Sequence, residues 1–248
     1  MLKSMANLNL YTSNRLEILA DKLAGVLSTP LASPMEPEIV VIQSKGMERW
    51  ISMELARRLG IAANIRFPFP NAFIYEMIGT VIPGIPDPSP FDANIMTWKI
   101  MTLLPSCMMR PEFESIKNYL KKIEDYLKRY QLAERIADTL DQYLLYRPEM
   151  MLQWQAGKED HWQAMLWREL IQGNEDHHRA ALAQRFFEAL KKITGQASGF
   201  PRRIAVFGIS ALPRFHVQIF QTIAHFAEVN FFILNPCQEY WSDILSDR

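Results

Sequence analysis

Residues 39–60 read IVVIQSKGMERWISMELARRLG, and the fold turns on how that stretch is taken. The β-forming run Ile39–Ile42 enters a polar loop, and a helix-forming segment follows from Met47 to a glycine stop at Gly60. A strand, a glycine-containing loop and a helix are the outline of a phosphate-binding unit, but the loop lacks its chemistry. A P-loop uses two glycines so that backbone N–H groups wrap the phosphates, a lysine at the β/γ-phosphates and a hydroxyl at magnesium. Here Gly46 is the one glycine, and Met47 and Glu48 stand where the lysine and the hydroxyl belong. Glu48 would repel a γ-phosphate. Magnesium also needs an acid at the end of a neighbouring strand, whereas IAVFGIS (204–210) ends in Gly208, Ile209 and Ser210. ATP hydrolysis is therefore not expected. Two readings stay open: a strand–helix turn without a ligand, or a helicase-like fold that has lost ATP and kept a nucleic-acid path.

Further strands are expected at LNLYTS (8–13), EIVVIQ (38–43), ANIRFPFP (63–70), RRIAVFGIS (202–210) and VNFFILNP (229–236). Ile204–Phe207 and Phe231–Leu234 are apolar throughout, as in strands buried on both faces of a parallel sheet. NRLEILADKLAGVLS, capped by Ser13 or Asn14, carries the stripe Leu16, Ile18, Leu19, Leu23 and Leu27. PRFHVQIFQTIAHFAE separates the last two strands. Strand–helix–strand order at both ends predicts one parallel α/β sheet. After the proline-rich IPGIPDPSP (82–90) the strand signal stops, and helices are expected at 92–104, 111–129, 131–146, 160–172 and 178–194. GQASGFP (195–201) then links back to the sheet. The expected organisation is an α/β domain over 1–90 and 196–248, interrupted by an all-helical insertion over 91–195.

The 248 residues are 49% apolar, ample for a buried core, and the formal net charge is zero, so bulk charge does not point to nucleic acid. Cys107 and Cys237 lie far apart, which fits a reducing, cytoplasmic compartment better than a disulfide framework. No signal-peptide pattern and no membrane-length apolar run is read, and no cofactor or metal is expected. MLKSMA at the start and WSDILSDR at the end carry no motif, and the latter suggests a cut from a longer protein.

Several stretches bear on binding. FGISALP departs from the nucleophile-elbow pattern at Leu212 and reads as a tight turn into a helix, with Pro213 in its first turn. Glu134, Asp138 and Asp141 share a helical face, with Arg147 before the helix-ending Pro148. That face is either solvated or a polar wall toward DNA, its carboxylates accepting from exocyclic amines and its arginine gripping phosphate or guanine. IKNYLKKIEDYLKRYQ (116–131) interleaves lysines with Tyr119, Tyr126 and Tyr130, as an amphipathic helix or a stacking track. Trp154, Trp162 and Trp167 read as packing, and His177 and His178 point different ways on a helix. Phe67 and Phe69 fall on one face of an extended strand, with Tyr75 on the next helix, as packing or as a base-stacking rim.

TSNRLEILADKL, VIQSKGMERWISMELARRLGIAANIRFPFPNAFIYEM, TWKIMTLLP, DQYLLYRPEMMLQWQAG, HRAALAQRF, FGISALPRFHVQIFQTIA and NPCQEYW, in this order, resemble the RecC family, the gamma subunit of exodeoxyribonuclease V (RecBCD). Family members are several times longer, so the resemblance is to their N-terminal part. It implies a superfamily-1 helicase fold with decayed ATPase motifs and a helical insertion. It also implies a tunnel wall for the 3′-tailed single strand, a part in Chi recognition, and RecB-like and RecD-like partner subunits that supply ATP hydrolysis. Carried over by position, the tunnel face comprises Gln43, Lys45, Arg49, Phe69, Tyr75, Asp138, Thr139, Asp141, Gln142, Arg147 and Arg179. The best-known family pattern has threonine at Lys45, glutamine at Arg49, leucine at Phe69, tryptophan at Tyr75 and leucine at Thr139, so the DNA sequence recognised is expected to differ. A pure scaffold that docks partner subunits without reading DNA is the second expectation, and an independent ATP-dependent enzyme the third.

Overall fold

The computed structural model describes residues 7–122, 125–192 and 199–237. The chain forms two compact units, Met1–Thr80 with Ile193–Arg248, and Val81–Lys192.

The first unit is built on five parallel strands: β1 (Leu8–Ser13), β2 (Glu38–Val41), β3 (Ile65–Arg66), β4 (Arg203–Phe207) and β5 (Glu228–Leu234), in the spatial order β1-β5-β4-β2-β3. Alternate residues serve opposite faces. Val40, Ile42, Ala205, Phe207 and Phe232 pack with Leu19, Leu23, Ile51 and Leu55 of α1 (Leu16–Leu27) and α2 (Lys45–Leu59). Across the sheet, Phe231 meets Phe220 of α10 (Arg214–Ile223), which stacks on Phe73 of α3 (Pro70–Val81). All five residues of β4 are buried, as its apolar run predicts. At the N-terminal ends of the strands, the buried Arg203 binds Glu38 and the carbonyls of Val26 (2.8 Å) and Thr29 (2.7 Å), tying β4 and β2 to the end of α1.

Three local expectations change. The strand expected at 63–70 is confined to Ile65–Arg66, because Pro68 and Pro70 lack the N–H groups a ladder needs. Phe67 and Phe69 therefore follow the strand rather than share its face. In α1, Ile18 is 39% exposed and lies off the buried stripe, and the cap position is Arg15, whose N–H is taken by the Ser13 hydroxyl (3.1 Å). Pro213 occupies the cap position of α10, one residue before its first turn.

The second unit is helical: α4 (Ala93–Cys107), a 3-10 turn at Pro111–Phe113, α5 (Glu114–Leu120), α6 (Tyr126–Tyr146), α7 (Pro148–Gln155), α8 (Trp162–Ile171) and α9 (Arg179–Lys192). Its core gathers Met96, Ile100, Leu104, Phe113, Leu140, Met151, Trp154 and Trp167. The helix break falls at Lys121, in a positive-φ conformation, and Asp125 caps α6 by accepting from the Lys128 N–H (3.1 Å). It thus comes earlier than the expected junction near residue 130. The segment after Arg147 is a further helix, since Pro148 at the first helical position starts α7 as effectively as it ends α6. His161 and His178 cap α8 and α9 through Nδ1, accepting from Ala164 (3.4 Å) and Ala181 (3.3 Å). Most of the linker expected at 195–201, and the NPCQEYW and WSDILSDR stretches beyond Cys237, lie outside the described residues.

Candidate nucleic-acid interface

The crevice of an open parallel sheet lies at the carboxyl ends of two strands whose connections run in opposite directions. Here those strands are β2, which leads outward to β3, and β4, which leads back to β5. The link from β2 to α2 is only Ile42, Gln43 and Ser44. Ser44, extended at φ −154°, accepts the Met47 N–H at 3.1 Å and so caps α2. Gly46 therefore lies inside the helix, and no backbone loop remains to wrap a phosphate. Met47 lies against Gly208, the left-handed residue (φ +66°) that follows β4: its Cε would be 3.1 Å from a Cβ there. Residues 42–44 thus form a tight, serine-capped turn into α2.

Around this turn four of the expected site residues are exposed, Gln43, Lys45, Arg49 and Phe69. The Ile42 N–H donates to the Pro68 carbonyl (3.1 Å), which holds the chain after β3 beside the turn. Lys45 Nζ consequently lies 5.7 Å from the centre of the Phe69 ring. Lys45 also pairs with Glu48 at 2.7 Å, so its charge is already partly answered. Arg49, one helical turn on, is exposed and has no ion pair among the described residues. Tyr75 is half-buried in α3. Arg66 is not free to join the group, because Glu76 holds it in a two-point pair (2.9 and 2.8 Å) that raises its pKa.

In the second unit the expected residues divide by their place on α6. At about 100° per residue, Asp138 and Gln142 lie within about 40° of each other, with Asp141 and Thr139 on the two flanks of that arc. Exposure agrees: Asp138 and Gln142 are exposed, Asp141 and Thr139 half-buried. Asp141 is drawn in by Arg179 at the start of α9, an ion pair at 3.3 Å whose angle leaves the buried Nη1 without a hydrogen bond. Arg147 stands at the α6–α7 junction, exposed, 5.7 Å from the centre of the Tyr143 ring and without an ion pair among the described residues. The cations thus fall into two kinds. Lys45 and Arg179 are engaged by carboxylates, while Arg49 and Arg147 are available to a phosphate.

Three features of these surfaces were missed in the sequence. The Ser44 cap was legible, since a serine just ahead of a helix-forming run is a preferred N-cap residue. The contact of Met47 was not, because its partner Gly208 is far away in the chain. Arg135 and Tyr146, both exposed on the same side of α6 as Gln142, were visible as residue types but not as neighbours of the arc.

Five parallel strands packed with helices in one unit, and a helical second unit with an exposed polar helix face, define a mixed α/β protein. The chain belongs to the RecC family: residues 8–248 match the family described as RecC, N-terminal domain. It is 40% identical to the RecBCD enzyme subunit RecC of Escherichia coli (strain K12) over 96% of this chain and 22% of that protein. Against the same subunit of Haemophilus influenzae it is 35% identical, over 94% of this chain and 24% of that protein. Against that of Mycolicibacterium smegmatis it is 29% identical, over 94% and 22%. The chain therefore spans less than a quarter of the length of these relatives.

Proposed function

We propose that this chain is the N-terminal part of a non-catalytic, DNA-binding subunit of a cytoplasmic RecBCD-type helicase–nuclease acting in double-strand break repair and recombination. Its first unit is a superfamily-1 helicase-like domain that no longer handles ATP, and the helical unit is its insertion. Each unit supplies residues that contact a single strand, and the chain contributes to recognition of a Chi-type sequence. RecB-like and RecD-like subunits supply the motor and nuclease chemistry. The observation that carries this reading is the turn after β2. A three-residue link capped by Ser44, with Met47 against Gly208, puts helix where a phosphate-wrapping loop would run, which supports a unit that does not hold ATP. The exposed Gln43, Arg49 and Phe69 beside it nevertheless present an amide, a cation with no ion pair among the described residues and an aromatic ring. Those groups suit a polynucleotide, whose phosphates need cations and whose bases need hydrogen-bonding and stacking partners. On α6, Asp138 and Gln142 offer acceptors and a donor to base edges, and Arg147 a phosphate contact.

The test is titration of a labelled single-stranded oligonucleotide against the chain and its Arg49→Ala and Arg147→Ala variants at two salt concentrations. The expected result is salt-sensitive binding that both variants weaken. Binding that survives both substitutions unchanged would remove the path proposed here. Binding by neither the chain nor the assembled complex through this unit would favour a scaffold that docks partner subunits.

A further inference from the structure

The helical unit holds a recess of about 200 Å³ between α5, α6 and α8. Its floor is apolar, formed by Ile116, Ile136, Leu140 and Leu166. Its rim is not: Arg135 and Thr139 come from α6, Trp162 and Gln163 from α8. The Thr139 hydroxyl donates to the Arg135 carbonyl (2.8 Å), which leaves its lone pairs for another donor. The Arg135 side chain is exposed and has no ion pair among the described residues.

The volume is below the ~300 Å³ at which sites for drug-sized ligands begin, and equals about seven liquid-water volumes, enough for one small planar ring. An aliphatic side chain of a partner protein would use the floor alone and would leave the amide and hydroxyl of the rim unmatched. A nucleobase uses both, because its faces are apolar and its edge carries donors and acceptors. The lone cation at the mouth then has a function, since every base brings a phosphate with it. Protein interfaces are depleted in such unpaired charge at their centres, whereas single-strand sites combine cations with aromatic rings.

We propose that this recess receives one unstacked pyrimidine base of the single strand, with Trp162 as aromatic wall, Thr139 and Gln163 at the base edge and Arg135 at the adjoining phosphate. The proposal rests on the strand-path reading above and extends it, because Thr139 lies on both the arc of α6 and the rim of the recess.

The experiment is a titration of labelled oligothymidylate against the 248-residue chain, Arg135→Ala and Thr139→Phe, with tryptophan emission followed in the chain and in Trp162→Phe. Arg135→Ala and Thr139→Phe, which fills the recess from its rim, are each expected to weaken binding at least about fivefold, the loss of one stacked base. Quenching of emission by the oligonucleotide is expected in the chain and reduced in Trp162→Phe. Arg135 is solvent-exposed, so its variant stays informative if Thr139→Phe fails to fold. Unchanged affinity in both variants, with binding by the chain intact, would overturn the recess as a base site and leave the strand path standing. Absence of binding by both the chain and the assembled complex through this unit would overturn both.

Discussion

His178 makes the stability of the helical unit depend on pH in a direction and size that the structure fixes. The side chain is fully buried at the start of α9, edge-on to Phe91 (5.7 Å) and Trp167 (5.1 Å). Nδ1 accepts the Ala181 N–H at 3.3 Å, so the other nitrogen, Nε2, is the protonated one and donates to Gln155 Oε1 at 2.7 Å. Burial among apolar rings disfavours the imidazolium and lowers the pKa from 6.5 to about 4, against a smaller opposing pull from Asp176. Because the folded pKa lies below the unfolded one, the unfolded chain takes up the proton first. The contribution of His178 is complete above about pH 6.5, is lost as pH falls toward about 4, and changes no further below that. The full difference of about 2.5 pK units corresponds to about 3 kcal/mol, of which about 2 kcal/mol is gone at pH 5. The assay is urea unfolding followed by tryptophan emission, which reports mainly this unit because Trp98, Trp154, Trp162 and Trp167 lie in it. The reference is His178→Asn, which keeps a side-chain acceptor for the Ala181 N–H and cannot titrate. The other four histidines are common to both proteins and cancel. Between about pH 7.5 and pH 5 the chain should lose about 2 kcal/mol more than the variant. Equal losses would mean that His178 is not held neutral and buried as described.

Three further outcomes are expected. Gly208→Ala forces a side chain into a left-handed conformation and against Met47, and should cost about 1–2 kcal/mol or more by urea unfolding followed by circular dichroism; adding Met47→Ala should recover only the contact portion. Arg203→Met leaves Glu38 and the Val26 and Thr29 carbonyls without their buried partner and should destabilise the sheet unit by about 3–5 kcal/mol in the same assay, with Glu38→Gln in the same chain returning part of it. Arg147→Ala should reduce the slope of log affinity for single strands against log salt by about 0.7, the share of one phosphate contact, and an unchanged slope would show that Arg147 touches no phosphate.

The parallel sheet was legible because its signals are local. Apolar runs at 204–207 and 231–234 and a strand–helix–strand order are properties of neighbouring residues, and they name the strands without reference to anything distant. Boundaries failed where two local signals competed. Prolines at 68 and 70 cut short a run that otherwise reads as strand, and Pro148 was read as a stop although it is also a good first residue of a helix. The turn at residues 42–44 shows a different limit. Its glycine reads locally as a loop residue, whereas the Ser44 cap starts the helix one residue before Gly46.

The site was legible only as a set of residue types, because what decides their use is tertiary. Lys45, Arg49, Arg147 and Arg179 are equivalent cations in the sequence. In the folded chain Glu48 lies 2.7 Å from Lys45, and Asp141, more than a helix away in sequence, lies 3.3 Å from Arg179. Removing either of those cations exposes a carboxylate that it had been neutralising. A loss of DNA binding in Arg179→Ala would therefore mix a lost contact with new repulsion and with a disturbed α6–α9 junction. Arg49 and Arg147 carry no such partner among the described residues, so their removal subtracts only the charge that a phosphate would meet. Conservative replacement separates the two kinds: Arg147→Lys should retain most of the affinity, since a point charge suffices for a phosphate, whereas Arg179→Lys should not, because only the longer, forked guanidinium reaches Asp141 from α9.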